Sequence, residues 1–183
     1  MEGNFEEASK YAKMSLQIFR TCEEESEMAE IEMTLGKLYE DFERYEEAVT
    51  HFRKSEVLYN RNQEMLKEVN LHLAECYGHL KREEDAYETL NLLDRMILEE
   101  DFLGNIKLYL VKSKVESLFK NMRGAVNNLI LALNIAREKK LKEEESKIML
   151  LMAKFYLEKG KNVDSYKLLE KSMNIMLQEE GDK

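Results

Sequence analysis

The sequence contains no proline, no tryptophan, two cysteines, three histidines and seven glycines in 183 residues. Without proline, nothing in the chain forcibly interrupts a helix. Apolar residues make up 44% and charged residues 36%, a mixture of helix formers that favours an all-helical chain over disorder. Two cysteines cannot build a disulfide framework, and a reducing, cytoplasmic setting is expected. The glycines are scattered and form no phosphate-cradling loop, and no His-Glu-x-x-His stretch is present. No apolar run approaches the ~18 residues of a membrane helix. The most apolar stretch, AVNNLILALNIA, is broken by three asparagines. The acidic, polar start MEGNFEEASK is not a signal peptide.

Charge is present in excess and unevenly placed. The formal net charge is -9, which argues against electrostatic binding of nucleic acid by the whole chain. Residues 1–100 hold 12 Lys/Arg against 25 Asp/Glu, whereas residues 101–183 hold 16 against 12. The two halves therefore suit differently charged partners. Acidic runs such as Glu23-Glu24-Glu25 and Glu143-Glu144-Glu145 sit at expected helix starts, where they complement the helix dipole and are not needed for acid–base chemistry. The basic run Arg137 to Lys142 lacks interleaved aromatics and reads as a solvated link.

An internal repeat organises the chain. GNFEEASKY, ERYEEAVTHF and REEDAYETL each place an acidic pair before an alanine, and the series Ala8, Ala48, Ala86, Ala125, Ser165 advances by 40, 38, 39 and 40 residues. A second row of small residues, Gly36, Ala74, Ser113 and Ala153, lies 12 residues before each of the last four. Antiparallel helices need small residues where they cross most closely, so a fixed offset between two such rows predicts a fixed helix–turn–helix unit. Ala125, Leu129, Ala132, Leu133 and Ala136 form one apolar helical face. The pattern predicts helices over 4–21, 23–41, 44–60, 62–80, 82–98, 101–120, 122–138, 141–159 and 161–178.

Leu35-Gly36, Tyr39, Ala48 and Phe52 stand at the spacing of leucine–glycine, tyrosine, alanine and phenylalanine in the tetratricopeptide repeat family, which the chain resembles. Leu73-Ala74 with Tyr77, Ala86 and Leu90 is a second match, and Met152-Ala153 with Tyr156, Ser165 and Leu169 a looser third. The unit at 101–138 departs most, with Lys112-Ser113 and Glu116 at those places. The family's tryptophan place holds Glu32, Asn70, Tyr109 and Met149, and its closing proline is missing. The resemblance implies an all-α, right-handed superhelix (α-solenoid) of antiparallel hairpins. It would run over 1–183 as a partial unit at 4–21 and units at about 23–60, 62–98, 101–138 and 141–178.

LHLAECYGHL, residues 71–80, puts His72, Cys76 and His79 along one helical stripe. Repeat phase makes Cys76 equivalent to Leu38, Val115 and Phe155, so it reads as a small packed hydrophobe. A structural zinc site also needs four ligands, and no fourth lies near in sequence. His51 reads as a seam or surface residue. No catalytic, cofactor or metal residue is assigned, and the chain is read as not an enzyme.

The resemblance places function on a concave groove lined by the first helix of each unit, which holds a peptide or partner helix. Its apolar row would be Met33, Leu71, Leu110 and Leu150. Lys37, Glu75, Lys114 and Lys154 follow one turn on, and Glu30, Glu68, Lys107 and Lys147 precede by one turn. Basic places in the later units suit an acidic segment of a protein or peptide partner; neither nucleic acid nor membrane is expected. The lysine–asparagine pair of carboxylate-clamping chaperone adaptors is absent. Residues 4–21 match a second helix without its first. At the other end, Met173, Ile175, Met176 and Leu177 lack a polar cap, so either the sequence is a piece of a longer protein or the bare ends pack on another copy. Both predict association through an end surface, a homo-oligomer through end helices in the second case. The rival reading is the peptide-sensing portion of a larger bacterial regulator. Its DNA-binding or effector domain does not occur in this sequence.

Overall fold

A computed structural model describes the backbone of residues 2–22, 24–158 and 160–181, and the side chains of 5–22, 24–158, 160–161 and 163–175. Among the described residues there are nine α-helices and no strand: α1 (Glu2–Cys22), α2 (Glu25–Asp41), α3 (Tyr45–Leu58), α4 (Gln63–His79), α5 (Glu83–Met96), α6 (Phe102–Leu118), α7 (Met122–Glu138), α8 (Lys142–Glu158) and α9 (Asn162–Gly181). Glu23, Met176 and Leu177 lie outside the residues whose side chains are described.

The turns explain where the first helix of each hairpin stops. Glu43, Lys81, Lys120 and Gly160 adopt left-handed backbone, with φ of 57°, 60°, 65° and 70°. Around each, the next amide reaches back to close the helix end: Arg44 N to Tyr39 O at 2.9 Å, Arg82 N to Tyr77 O at 3.0 Å, Asn121 N to Glu116 O at 2.8 Å and Lys161 N to Tyr156 O at 2.9 Å. This is the Schellman arrangement, which satisfies orphan carbonyls at a helix C-terminus. The residue after the bend carries a cation over the tyrosine ring it follows: Arg44 over Tyr39 at 4.9 Å, Arg82 over Tyr77 at 4.7 Å and Lys161 over Tyr156 at 5.6 Å. The most divergent unit keeps the link by other means, with Asn121 Nδ2 donating to Glu116 Oε2 at 2.6 Å. Three of these four bends place a side chain where glycine is preferred. Replacing Glu43, Lys81 or Lys120 by glycine should therefore stabilise the protein by about 0.5–1 kcal/mol each in urea unfolding. A loss at all three would contradict this account of the bends.

The chain divides into two compact units, Met1–Ile97 and Leu98–Lys183. In the first, α1 through α5 pack each on the next; in the second, α6 through α9 do the same. The two small-residue rows meet where the sequence places them. Gly36, Ala74, Ser113 and Ala153 are buried, as are Ala48, Ala86, Ala125 and Ser165. Ser165 Oγ donates to Ala153 O at 2.8 Å, so the 12-residue offset is a direct contact between hairpin partners. A Cβ at Gly36 would stand 2.5 Å from the Phe52 ring. The first member of the series is corrected: Ala8 is exposed and Ser9, 5% exposed, takes the buried place. Two buried serines are satisfied across the hairpins, Ser55 Oγ donating to Ala29 O at 2.9 Å and Ser146 Oγ pairing with Ser172 Oγ at 2.7 Å, whereas the buried Tyr59 hydroxyl has no hydrogen-bond partner among the described residues.

Candidate functional site

The first unit gathers all three histidines, and each lies flat on an aromatic ring. His51 stacks on Tyr39 at 5.1 Å, His72 on Phe52 at 5.1 Å and His79 on Tyr45 at 4.2 Å. His51 Nδ1 lies 2.6 Å from Glu32 Oε2, and His72 Nδ1 lies 2.6 Å from Glu40 Oε2. Glu32, at the family's tryptophan place, is 2% exposed. A buried carboxylate needs a partner, and the imidazole of the following helix supplies it. Cys76 is fully buried with Sγ 3.8 Å from Glu40 Oε1; burial pushes its thiol well up, which suits packing and not nucleophilic chemistry. Burial alone would lower the pKa of His72, but hydrogen bonds to Glu40 and Glu68 outweigh it and raise the pKa from 6.5 to about 9. The stripe at 71–80 thus ties α4 to α2 and α3.

Of the expected groove residues in this unit, Met33 and Leu71 are 4% and 7% exposed. They pack against the unit's own helices. Lys37 Nζ lies 3.7 Å from Glu68 Oε1, so two of the flanking charges engage each other across α2 and α4. Glu75 is half-buried and Glu30 is exposed.

The second unit offers an open cleft of about 230 Å³ between α6 and α8, lined by Leu103, Ile106, Lys107, Leu110, Glu144, Lys147 and Ile148. Three expected groove residues, Lys107, Leu110 and Lys147, come together here. Ile106 and Ile148 are 2% and 0% exposed and form its floor; Leu103, 52% exposed, forms part of its rim. Lys147 Nζ sits 2.5 Å from Glu143 Oε1, a bond that raises the lysine's pKa and keeps it charged. Lys114, Leu150 and Lys154 are exposed but do not line the cleft. Leu103, Ile106 and Ile148 lie outside the groove rows expected from the sequence, which assigns Glu144 only to an acidic helix start. Their signal was present: Leu103, Ile106 and Leu110 share one face of α6 at i, i+3 and i+7, and Glu144 and Ile148 are one turn apart on α8.

No family model and no curated protein matches the sequence. Solved structures do. Nearly identical TPR-like repeats assigned to a kinesin light chain of Podosopora anserina match at 16% identity over 98% of this chain and 90% of that one, with a TM-score of 0.65. BtubC (BKLC) of P. vanneervenii matches at 15% identity over 95% and 74%, with a TM-score of 0.67. The apo form of RapI matches at 18% identity over 94% and 77%, with a TM-score of 0.61. At these identities the likeness concerns the fold, which is that of a TPR-like all-α solenoid.

Proposed function

We propose that the protein is a non-enzymatic interaction scaffold. Its second unit holds an amphipathic peptide or partner helix, with apolar side chains in the α6–α8 cleft and acidic ones beside Lys107 and Lys147. We further propose that the protein associates with copies of itself through its first and last helices. The observation carrying the first part is the juxtaposition of an apolar floor, Ile106 and Ile148, with two lysines from different helices in one open cleft. Such a surface takes apolar anchors and orients them by charge. Lys114 and Lys154 extend the cationic character beyond the cleft on the same two helices.

Selection of displayed random peptides against the intact protein should enrich sequences that alternate leucine-like residues with Asp or Glu. Reversing Lys107 and Lys147 together to Glu should weaken the selected peptide about tenfold or more at low salt. Leu110→Asp should abolish binding with the helical content unchanged. Selected peptides that bind both variants as tightly as the parent would contradict the cleft as the binding site.

A further inference from the structure

Repeat phase finds two lysines where every other unit is apolar. With Ser9 aligned on Ala48, Ala86, Ala125 and Ser165, Lys13 stands in the row of Phe52, Leu90, Leu129 and Leu169. Lys10 stands in the row of Val49, Tyr87, Val126 and Tyr166. Phe52, Leu90 and Leu129 are buried. Apolar packing therefore does not explain what α1 carries at these two places. The lysines instead join Arg44 along an open cleft of about 530 Å³ between α1 and the end of α2. Phe5 and Met14 give it an apolar wall, and Glu6 is the carboxylate of its lining. Ser9 and Tyr39, each 5% exposed, form a polar floor. A cleft of this size suits a small organic ligand.

Solvated charges disperse, whereas these cations converge on one ring. Lys13 Nζ donates to the Tyr39 hydroxyl at 3.0 Å and lies 5.7 Å from the ring centroid. The Arg44 guanidinium lies 4.9 Å from the same centroid and 5.2 Å from that of Phe5, so the two rings fix it in place. Glu47 accepts from its Nε and Nη2 and leaves Nη1. Lys10 and Lys13 make no ion pair among the described residues, although Glu6 stands one turn before Lys10. Burial would raise the pKa of Tyr39, but hydrogen bonds from Lys13 and Ser9 and the charges of Lys13 and Arg44 outweigh it and lower it. The floor of the cleft thus lies in a positive potential. Two unmatched ammonium groups beside a fixed guanidinium exceed what Glu6 neutralises, and they suit an anion of more than one charge. A phosphomonoester carries about −1.5 to −2 charge at neutral pH with several strong acceptor oxygens, which a carboxylate does not.

We infer that this cleft binds a small phosphomonoester, its phosphoryl group among Lys10, Lys13 and Arg44 and its organic body against Phe5 and Met14. The site belongs to the first unit and is independent of the peptide cleft in the second.

The test is calorimetric titration of the full chain with phenyl phosphate, inorganic phosphate and benzoate at low salt. Phenyl phosphate should bind saturably, about tenfold or more tighter than benzoate, and tighter than inorganic phosphate. Lys10→Gln and Lys13→Gln should each weaken it about tenfold with helical content unchanged. Lys13→Arg, which keeps the charge, should retain most of the parent's affinity. Lys107→Gln, in the other unit, should leave it unaltered. Lys10 is exposed, so its variant reads the site whatever Lys13→Gln does to the fold. Phenyl phosphate that gives no saturable heat, or that binds Lys10→Gln as tightly as the parent, overturns the site. Benzoate binding as tightly as phenyl phosphate overturns the assignment to a phosphomonoester. Inorganic phosphate binding as tightly as phenyl phosphate supports the three cations as a phosphoryl site and overturns the place given to the organic body.

Discussion

Leucine at position 36 should destabilise the protein by about 3 kcal/mol or more in equilibrium urea unfolding. Gly36 sits on α2 with its α-carbon against Phe52 of α3. A Cβ there would be 2.5 Å from two carbons of the ring and 2.9 Å from a third. The ring has no room to withdraw. Phe52 is fully buried, and its face carries the His72 imidazole at 5.1 Å, itself held by Glu40. Alanine makes the sharper comparison. In an exposed helix interior Gly→Ala gains up to about 1 kcal/mol. Here the added methyl meets the ring, and a net loss of about 1–2 kcal/mol is expected. Pairing Gly36→Ala with Phe52→Leu should recover part of that loss, because the two side chains compete for one space. Alanine at 36 stabilising the protein by its full propensity gain would show that the helices do not cross there.

Raising the pH from 6.5 to 10 should remove about 3 kcal/mol of stability through His72 alone. The folded-state pKa of about 9 lies above the ordinary 6.5. The contribution is therefore complete below about pH 6.5 and disappears as pH rises through 9. The groups facing the imidazole are Glu40 from α2 and Glu68 one turn back on α4, which favour its charge, and Lys37 from α2, which opposes it. Cys76 stays neutral across this window, since burial raises its thiol. The measurement is the difference in unfolding free energy between the parent and His72→Gln as a function of pH. That difference should shrink steadily between pH 7 and 10. A difference independent of pH would mean that the imidazole is not held as a cation between α2 and α4.

Both predictions concern contacts that differ in how readable they were. The small-residue rows could be read directly, because each row recurs in phase and a close crossing tolerates few side chains. Ser165 bonded to Ala153, and Gly36 against Phe52, are those rows in contact. The phase failed at one place. Ala8 belongs to a helix with no small residue 12 positions before it to fix its register, so its place in the series rests on the acidic-pair–alanine motif alone, and that motif marks the residue next to the buried one, Ser9. Glu32 with His51, and Glu40 with His72, could not be read. Their partners lie 19 and 32 residues apart on different helices, and nothing in either helix's periodicity marks a carboxylate as buried. The cleft was half legible. Family spacing found Lys107, Leu110 and Lys147, but it follows one row per helix. The cleft floor comes from Ile106 and Ile148, in rows beside it. The same spacing selected Met33 and Leu71, which the first unit buries, because spacing identifies a position on a helix and not what lies over it.

The most direct measurement is the unfolding free energy of four single variants, Ala48→Leu, Ala86→Leu, Ala125→Leu and Ala8→Leu. The three alanines that close the helix crossings are fully buried, while Ala8 is exposed on α1. Close helix crossing at the first three predicts losses of about 2–4 kcal/mol there and a change within about 0.5 kcal/mol at Ala8. Losses of equal size at all four positions, or none at any of them, would contradict it.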